Sequence, residues 1–309
     1  MTTLLSQAID DFIATNISLV KIDISSAAAS REWFLKRIKT QIDKSTSGLR
    51  LYADTPFVHF GSYFKQTKIM RVDEFDILVV IDSNEGQFSS GSRIIGNGLG
   101  AIHPNPKYNS KYRKSDDSGV SPSKLLNWLR GISENITGSY RGESPERNGQ
   151  AITATIKSKN LKIDLVPAGI FQKMDGTIFY NIPKGDAENS WILTNPKEDI
   201  ARLIRVAKNN DHLRRVVRLS KYIAHKDHYN IKIPSFAIET VIVNYAENNR
   251  WSVDLAKNLI EALKCLAKEL ESKKIADPFD PSTNMISGID NLQWYSERIN
   301  GIVANLNTL

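Results

Sequence analysis

Glu74-Phe75-Asp76 opens the apolar run Ile77-Leu78-Val79-Val80. On a strand, residues two apart project from one face, so the two carboxylates converge while Phe75 and Ile77 point to the other side. A third carboxylate, Asp164, lies in Lys162-Ile163-Asp164-Leu165-Val166, the end of a second apolar-flanked segment over 152–166. That segment can run beside the first at the inter-strand spacing of about 4.8 Å. Three converging carboxylates can hold two divalent cations. Hard oxygen ligands suit Mg2+ or Mn2+, which bridge carboxylates to substrate phosphates; a two-metal site activates an attacking hydroxyl and stabilises the leaving oxygen. An acidic pair at this spacing is also common on solvated strand edges, so its meaning depends on what surrounds it.

Phe57-Val58-His59-Phe60 reads as a short strand that delivers Gly61-Ser62 into a turn. Glycine there lets the backbone approach a phosphate, and serine adds a hydroxyl and an N–H as donors. Any strand can end in Gly-Ser. A strand, Gly-Ser, a spacer, Glu-x-Asp heading an apolar strand and an isolated Asp in a later one are together far more specific.

On these residues the chain resembles the cGAS/DncV-like nucleotidyltransferases (CD-NTases), the family of cyclic GMP–AMP synthase within the DNA polymerase β-type superfamily. The likeness runs from Gly61-Ser62-Tyr63-Phe64-Lys65-Gln66-Thr67-Lys68-Ile69 into Glu74-Phe75-Asp76. It continues through Ser121-Pro122-Ser123-Lys124-Leu125-Leu126, the hairpin from Ala151 to Asp164, Lys221-Tyr222 and Ser235-Phe236. The turn Asp277-Pro278-Phe279-Asp280-Pro281, also similar to oligoadenylate synthases, extends it over nearly the whole chain.

The resemblance implies that Glu74, Asp76 and Asp164 are catalytic metal ligands and that Gly61, Ser62, Lys221 and Ser235 meet the nucleotide phosphates. Phe236 stands where the family stacks an aromatic on a base, and is equally readable as a core phenylalanine at a helix start. Trp191 to Pro196 resembles the stretch that enters the helical lobe beside the acceptor base. Ile192 replaces the base-contacting arginine of the animal enzyme, so base preference stays open. Thr194 and Asn195 could bond a base edge, or cap the helix that follows. The implied reaction is attack of a ribose 2′- or 3′-hydroxyl on the α-phosphate of a second nucleotide, with release of pyrophosphate. A further turnover would close a ring. Substrates would be ATP and GTP or other nucleoside triphosphates, and the product a cyclic di- or oligonucleotide messenger read by a downstream effector, in bacteria typically an anti-phage alarm. A linear oligonucleotide synthase or tailing enzyme, and a non-catalytic nucleotide sensor, are the competing readings.

Composition limits the remainder. At 309 residues, 41% hydrophobic and 24% charged, the chain is ordinary globular material. No apolar run reaches the ~20 residues of a membrane span, and Met1-Thr2-Thr3-Leu4-Leu5-Ser6 lacks a basic leader, which places the expected protein in the cytoplasm, off any membrane. One cysteine, Cys265, sits among leucines at helical spacing and reads as apolar packing. Zinc is not expected, because clustered thiolates and imidazoles are lacking; His225 and His228 read as a solvated pair. The animal DNA sensor of the family carries a zinc insertion that engages DNA. Its absence argues against an obligatory double-stranded DNA activator. The net charge of +7 suits a protein that handles polyphosphates and also fits a nucleic-acid binder. Between 202 and 226, Arg202, Arg205, Lys208, Arg214, Arg215, Arg218, Lys221 and Lys226 face Asp211 alone, and Arg214, Arg218 and Lys221 share one helical face that could line a phosphate cleft.

The elements that must position these groups follow from periodicity. Helices are predicted over 3–14 and 24–45, then from Ser121, and over 197–209, 211–226, 234–248, 252–272 and 290–305. Strands are predicted at 57–60, from 74 to about Ile81, and in a hairpin of 151–156 and 161–166. About forty polar residues after Ile81 read as a surface excursion or lid, with Lys107-Tyr108 and Lys111-Tyr112-Arg113-Lys114 diluted by Asp116 and Asp117. The expected fold is α+β: a nucleotidyltransferase lobe with a mixed sheet over 1–195, a C-terminal helical lobe over 196–309, and N-terminal helices bridging them.

Overall fold

The computed structural model describes residues 4–19, 21–82, 109–112, 114–115, 120–139, 142–172, 177–185, 190–225 and 230–308. Most of the polar excursion, including Lys107, Tyr108, Arg113, Asp116 and Asp117, lies outside the described residues, as do Lys226 and His228. The chain divides into a sheet unit, Lys21–Gly61 with Val72–Glu198, and a helical unit, Met1–Val20, Ser62–Arg71 and Asp199–Leu309.

In the sheet unit seven strands form one mixed sheet. They are β1 (Phe57–Phe60), β2 (Glu74–Ile81), β3 (Glu146–Asn148), β4 (Ala151–Ile156), β5 (Leu161–Gln172), β6 (Ile178–Pro183) and β7 (Trp191–Thr194). The order is β1-β2-β5-β4-β3, with β6 paired to β5 and β7 to β6. Only β2 and β5 run parallel. Strands of that kind are covered on both faces. Ile77 to Ile81 are accordingly all fully buried, so the alternation seen at Glu74-Phe75-Asp76 stops as soon as the strand enters the core. One cluster gathers Val58, Leu78, Val80, Val166, Ala168 and Tyr180. The helices α2 (Lys21–Lys44) and α3 (Pro122–Ser139) pack on each other, and α3 packs on β4 and β5. As the sequence suggests, Ser121 starts α3: its hydroxyl accepts the Lys124 N–H at 3.3 Å.

The expected hairpin is present, joined by a single 3-10 turn at Lys157–Lys159 and by Asn160 in the left-handed region. β5 continues past the predicted stop at Val166, through Pro167. There β4 releases at Leu165 and β6 takes over at Gly169, a gap in which a missing N–H costs least. β3, β6 and β7 were not predicted. Glu146-Arg147-Asn148 has no apolar member, β6 ends in a proline and β7 is four residues long.

The helical unit holds α1 (Leu4–Phe12), α4 (Pro196–Lys208, from Asp199), α5 (Leu213–His225), α6 (Ser235–Asn248), α7 (Leu255–Glu271) and α8 (Leu292–Leu306), each within a few residues of a predicted helix. Its core runs from Ile9, Ile13 and Ile17 through Val216, Val217, Ile238 and Ile242 to Leu259, Leu266 and Ile299. Asp254 caps α7 by accepting the Lys257 N–H at 3.0 Å, and the Ser6 hydroxyl donates to Asp254 at 2.8 Å, which fastens α1 to this core. Cys265 packs half-buried against it. Among the described residues no helix is long and apolar enough to cross a membrane.

Candidate active site

The three carboxylates meet at the N-terminal ends of the two parallel strands. Asp76 and Asp164 are direct partners in the β2–β5 register, and Glu74 lies two residues before Asp76 on the same face. Ligand oxygens from Glu74, Asp76 and Asp164 all lie within 4.8 Å of one another, and each residue is half-buried. Among the described residues no other group of three His, Cys, Asp or Glu side chains converges in this way. The packing of Phe75 and Ile77, both 0% exposed on the opposite face, holds the register that aims the acids together.

Electrostatics mark this cluster as incomplete by itself. Burial pushes the Asp164 carboxyl up to about 6, and the neighbouring Glu74 carboxylate adds to the rise. The Thr153 hydroxyl, opposite Asp164 on β4, draws the value down without reaching hydrogen-bond geometry. Asp164 Oδ1 is sealed from solvent with no hydrogen-bond partner. A buried anionic oxygen without a donor, held against two more carboxylates, fits a divalent cation with oxygen preference.

Gly61 closes the site from β1. Its φ is +78°, and a Cβ built there would lie 1.8 Å from Asp76 Oδ2 and 2.7 Å from its Cγ. Glycine is therefore required twice, for the backbone conformation and for the close approach of Asp76. The sequence suggested room for a phosphate; the structure adds a ligand carboxylate as the immediate neighbour. Ser62 starts the helical turn Gly61–Phe64, and its carbonyl accepts the Thr67 N–H at 2.8 Å.

Thr194 ends β7, half-buried, opposite Tyr180. Asn195 is 5% exposed, and its side-chain oxygen accepts the Glu198 N–H at 3.1 Å. Of the two roles open to it in the sequence, capping is the one this geometry occupies.

Within the helical unit, Lys221 is 3% exposed and donates to Glu239 Oε2 at 2.9 Å and to Thr67 Oγ1 at 3.1 Å. Thr67 donates to the same Glu239 oxygen at 2.7 Å. Lys65 bonds the other Glu239 oxygen and reaches Asp199 at 2.7 Å, while its ammonium stands 4.7 Å from the Phe236 ring centroid. Burial alone would raise the Glu239 carboxyl; the two lysines overcome it and hold the value at about 2. Burial lowers Lys221, against the pull of Glu239. Ser235 is exposed and does not cap α6: Pro234 holds that position, and Ser235 Oγ lies 2.9 Å from His225 Nε2. Sequence reading missed Lys65, Thr67, Glu239 and the contact to His225. Glu239 was the available signal, a lone acid inside Phe236-Ala237-Ile238-Glu239-Thr240-Val241-Ile242 that needs a buried cation.

No family model matches the chain. A protein described as "Probable cyclic nucleotide synthase", from Bacillus cereus (strain VD146), is 25% identical over 248 residues, covering 79% of this chain and 71% of that protein. Among solved structures, CdnC of E. coli MS115-1, determined with ATP, superposes with a TM-score of 0.62 at 16% identity over 97% of this chain and 89% of that one. That structural likeness establishes the fold, and the acidic triad stands on two of its adjacent strands; together with the sequence kinship, these likenesses support assigning the chain to the CD-NTases, as a nucleotidyltransferase.

Proposed function

We propose that this enzyme joins ribonucleoside triphosphates, ATP and GTP among them, into a cyclic di- or oligonucleotide with release of pyrophosphate. The observation that carries the reading is the convergence of Glu74, Asp76 and Asp164, with one buried oxygen left unsatisfied, in a chain related to a cyclic nucleotide synthase. Mg2+ or Mn2+ held by these carboxylates would neutralise the triphosphate and lower the pKa of the attacking ribose hydroxyl. The protein's own part is positioning. Glu74 and Asp76 present their oxygens from one strand face, Asp164 faces Asp76 from the neighbouring strand, and Gly61 leaves the space Asp76 occupies. We assign nucleotide contacts to Gly61, Ser62, Lys221, Ser235, Phe236 and Thr194 by resemblance, with Asn195 acting through the helix it caps. The product serves as a messenger for an effector in bacterial anti-phage defence, in the cytoplasm, without double-stranded DNA as obligatory activator.

The test is mass spectrometry of products formed from the four ribonucleoside triphosphates with Mg2+ or Mn2+, before and after phosphatase. A phosphatase-resistant cyclic product lost in Asp76→Asn is expected. A product that sheds terminal phosphates would make the enzyme a linear synthase, and triphosphate binding with no turnover would make it a sensor.

A further inference from the structure

A second concavity lies within the sheet unit, apart from the acids. The stripe of α2 that carries Ser26, Ala29, Ser30 and Trp33 looks across at the C-terminal end of α3 and at the β4–β5 turn, and together they bound a cavity of about 610 Å³. Its shape follows from the sequence. Positions 26, 29, 30 and 33 fall on one helical face, and all but the last are small, so α2 cannot close on the turn along this stripe. At the end of α3, Gly142 sits tightly on Thr137: its N–H donates to the Thr137 carbonyl at 2.8 Å, and an added Cβ would come within 3.1 Å of that oxygen.

The lining has a definite chemistry. Trp33 is 37% exposed, although Phe34, Leu35 and Ile38 on the same helix are buried. Ile136 and Ile156 add apolar wall. An apolar body that takes the place of solvent against this wall gains free energy in proportion to the area covered, and a flat one can lie along the indole. Concavities of this size with mainly apolar walls and a few polar groups are the usual form of small-molecule sites. The polar groups here have one sign of charge. Lys157 and Lys159 stand on the turn, and no Asp or Glu lines the cavity. Lys157 pairs with Glu143 at 2.9 Å, but both side chains are more than half exposed, and so weak a pair yields to a competing anion. Arg37 adds a third cation, 5.8 Å from the Trp33 ring centroid.

We propose that this cavity binds a small planar aromatic molecule that carries one anionic group, a carboxylate or a phosphate. The ring system lies against Trp33 between Ile136 and Ile156, and the anion meets Lys157 and Lys159 on the turn. A protein partner fits less well, because the space is bounded by two helices and a turn instead of spreading along one face. The site is separate from the acid cluster: Gly61, Glu74, Asp76 and Asp164 do not line it. The chain nevertheless links the two, since the turn leads through Leu161 into the strand that carries Asp164. Binding here is independent of the reaction performed at the acids.

The full chain is titrated by calorimetry with 2-naphthoate, 1-naphthyl phosphate and the neutral 2-naphthylmethanol, while the indole N–H signals of its five tryptophans are followed by nitrogen-15 NMR. At least one of the two anions should bind and displace the indole signal that Trp33→Phe removes, with the alcohol weaker by about fivefold, the scale of two exposed charge contacts. Whichever anion binds more tightly identifies the natural group as carboxylate or phosphate. Replacing both lysines, Lys157→Gln with Lys159→Gln, should bring the anions down to the level of the alcohol. Ala29→Phe fills the cavity from an exposed helix position and should abolish binding of all three probes while the protein stays folded by circular dichroism; Ser26→Leu repeats the test should Ala29→Phe unfold. A Trp33 signal that stays in place at millimolar probe would overturn the proposal, since a probe held at the nucleotide site leaves it unmoved. So would equal affinity for alcohol and anions, or binding that survives in the folded cavity-filling variant.

Discussion

The sheet unit and the helical unit treat buried charge in opposite ways. At Glu74, Asp76 and Asp164 three acids crowd together with one oxygen orphaned and one carboxyl pushed up to about 6. At Lys65, Lys221 and Glu239 the ions are more deeply buried, yet every one is paired, and the acid is held at about 2. The first leaves a buried Asp164 oxygen without a hydrogen-bond partner and calls for a ligand to meet it. The second is complete and makes the chain segment after Gly61 part of the helical unit's own structure. Burial alone does not separate function from structure here; the balance of charge does.

The largest effect that would sharpen this contrast is on turnover. Glu74→Gln, Asp76→Asn and Asp164→Asn should each lower product formation by roughly 10^3-fold or more, because the three act as one unit, and the triple variant should be scarcely worse than the worst single. Thermal unfolding without metal should be unchanged or raised, because mutual repulsion is relieved. A fall of several degrees would make the acids structural and break the comparison.

Glu239→Gln should do the reverse on stability. Removing one partner from a buried ion pair leaves a lysine uncompensated, so denaturant unfolding should show a loss of about 3–5 kcal/mol. Lys221→Ala belongs here too. Its ammonium is sealed against Glu239. The structure therefore predicts destabilisation as well as weaker nucleotide binding.

Gly61→Ala tests the close approach. A positive φ and a contact of 1.8 Å to Asp76 predict a cost of about 1–3 kcal/mol together with loss of activity, since Asp76 must move. Unfolding and turnover measured on the same preparation check both.

The pH profiles should diverge in sign. Glu239 is depressed from 4.5 to about 2, so its stabilisation is present above pH 4.5 and is lost as pH falls through about 2. Asp164 is raised from 3.8 to about 6, so ionising it draws stability down as pH climbs through that window, and Asp164→Asn should flatten the profile there. Stabilisation by Mg2+ should weaken below about pH 6, where the Asp164 carboxyl holds its proton. EDTA should stop turnover and, above that pH, remove the stabilisation that Mg2+ gives while leaving the protein folded. The smallest expected effect is that of Asp73→Asn, one residue off the face that carries Glu74 and Asp76.

The acid site was legible because it is written in short-range code. A strand places residues two apart on one face, and apolar neighbours fix which face is buried, so Glu74 and Asp76 could be paired without coordinates. The long helices were legible for the same reason, as an apolar stripe recurs along each. What could not be read was long-range. Lys65 and Glu239 are 174 positions apart in the numbering, and neither carries a local mark of its partner. β6, which ends in a proline, and β7, an apolar run of three before Thr194, show no alternation, and Pro167 looked like an end because the handover from β4 to β6 is a property of the assembled sheet.

By itself, then, the sequence determined the types of group available, the faces of the strands that carry them and the helices that follow, because these depend on residues within a few positions of one another. Only the tertiary structure decided that Asp164 lies opposite Asp76, that Lys221 is spoken for by Glu239, and that Arg218 Nε is buried with no hydrogen-bond partner among the described residues. Each of those outcomes depends on which distant chain segment comes to pack alongside, and on how much water that packing removes.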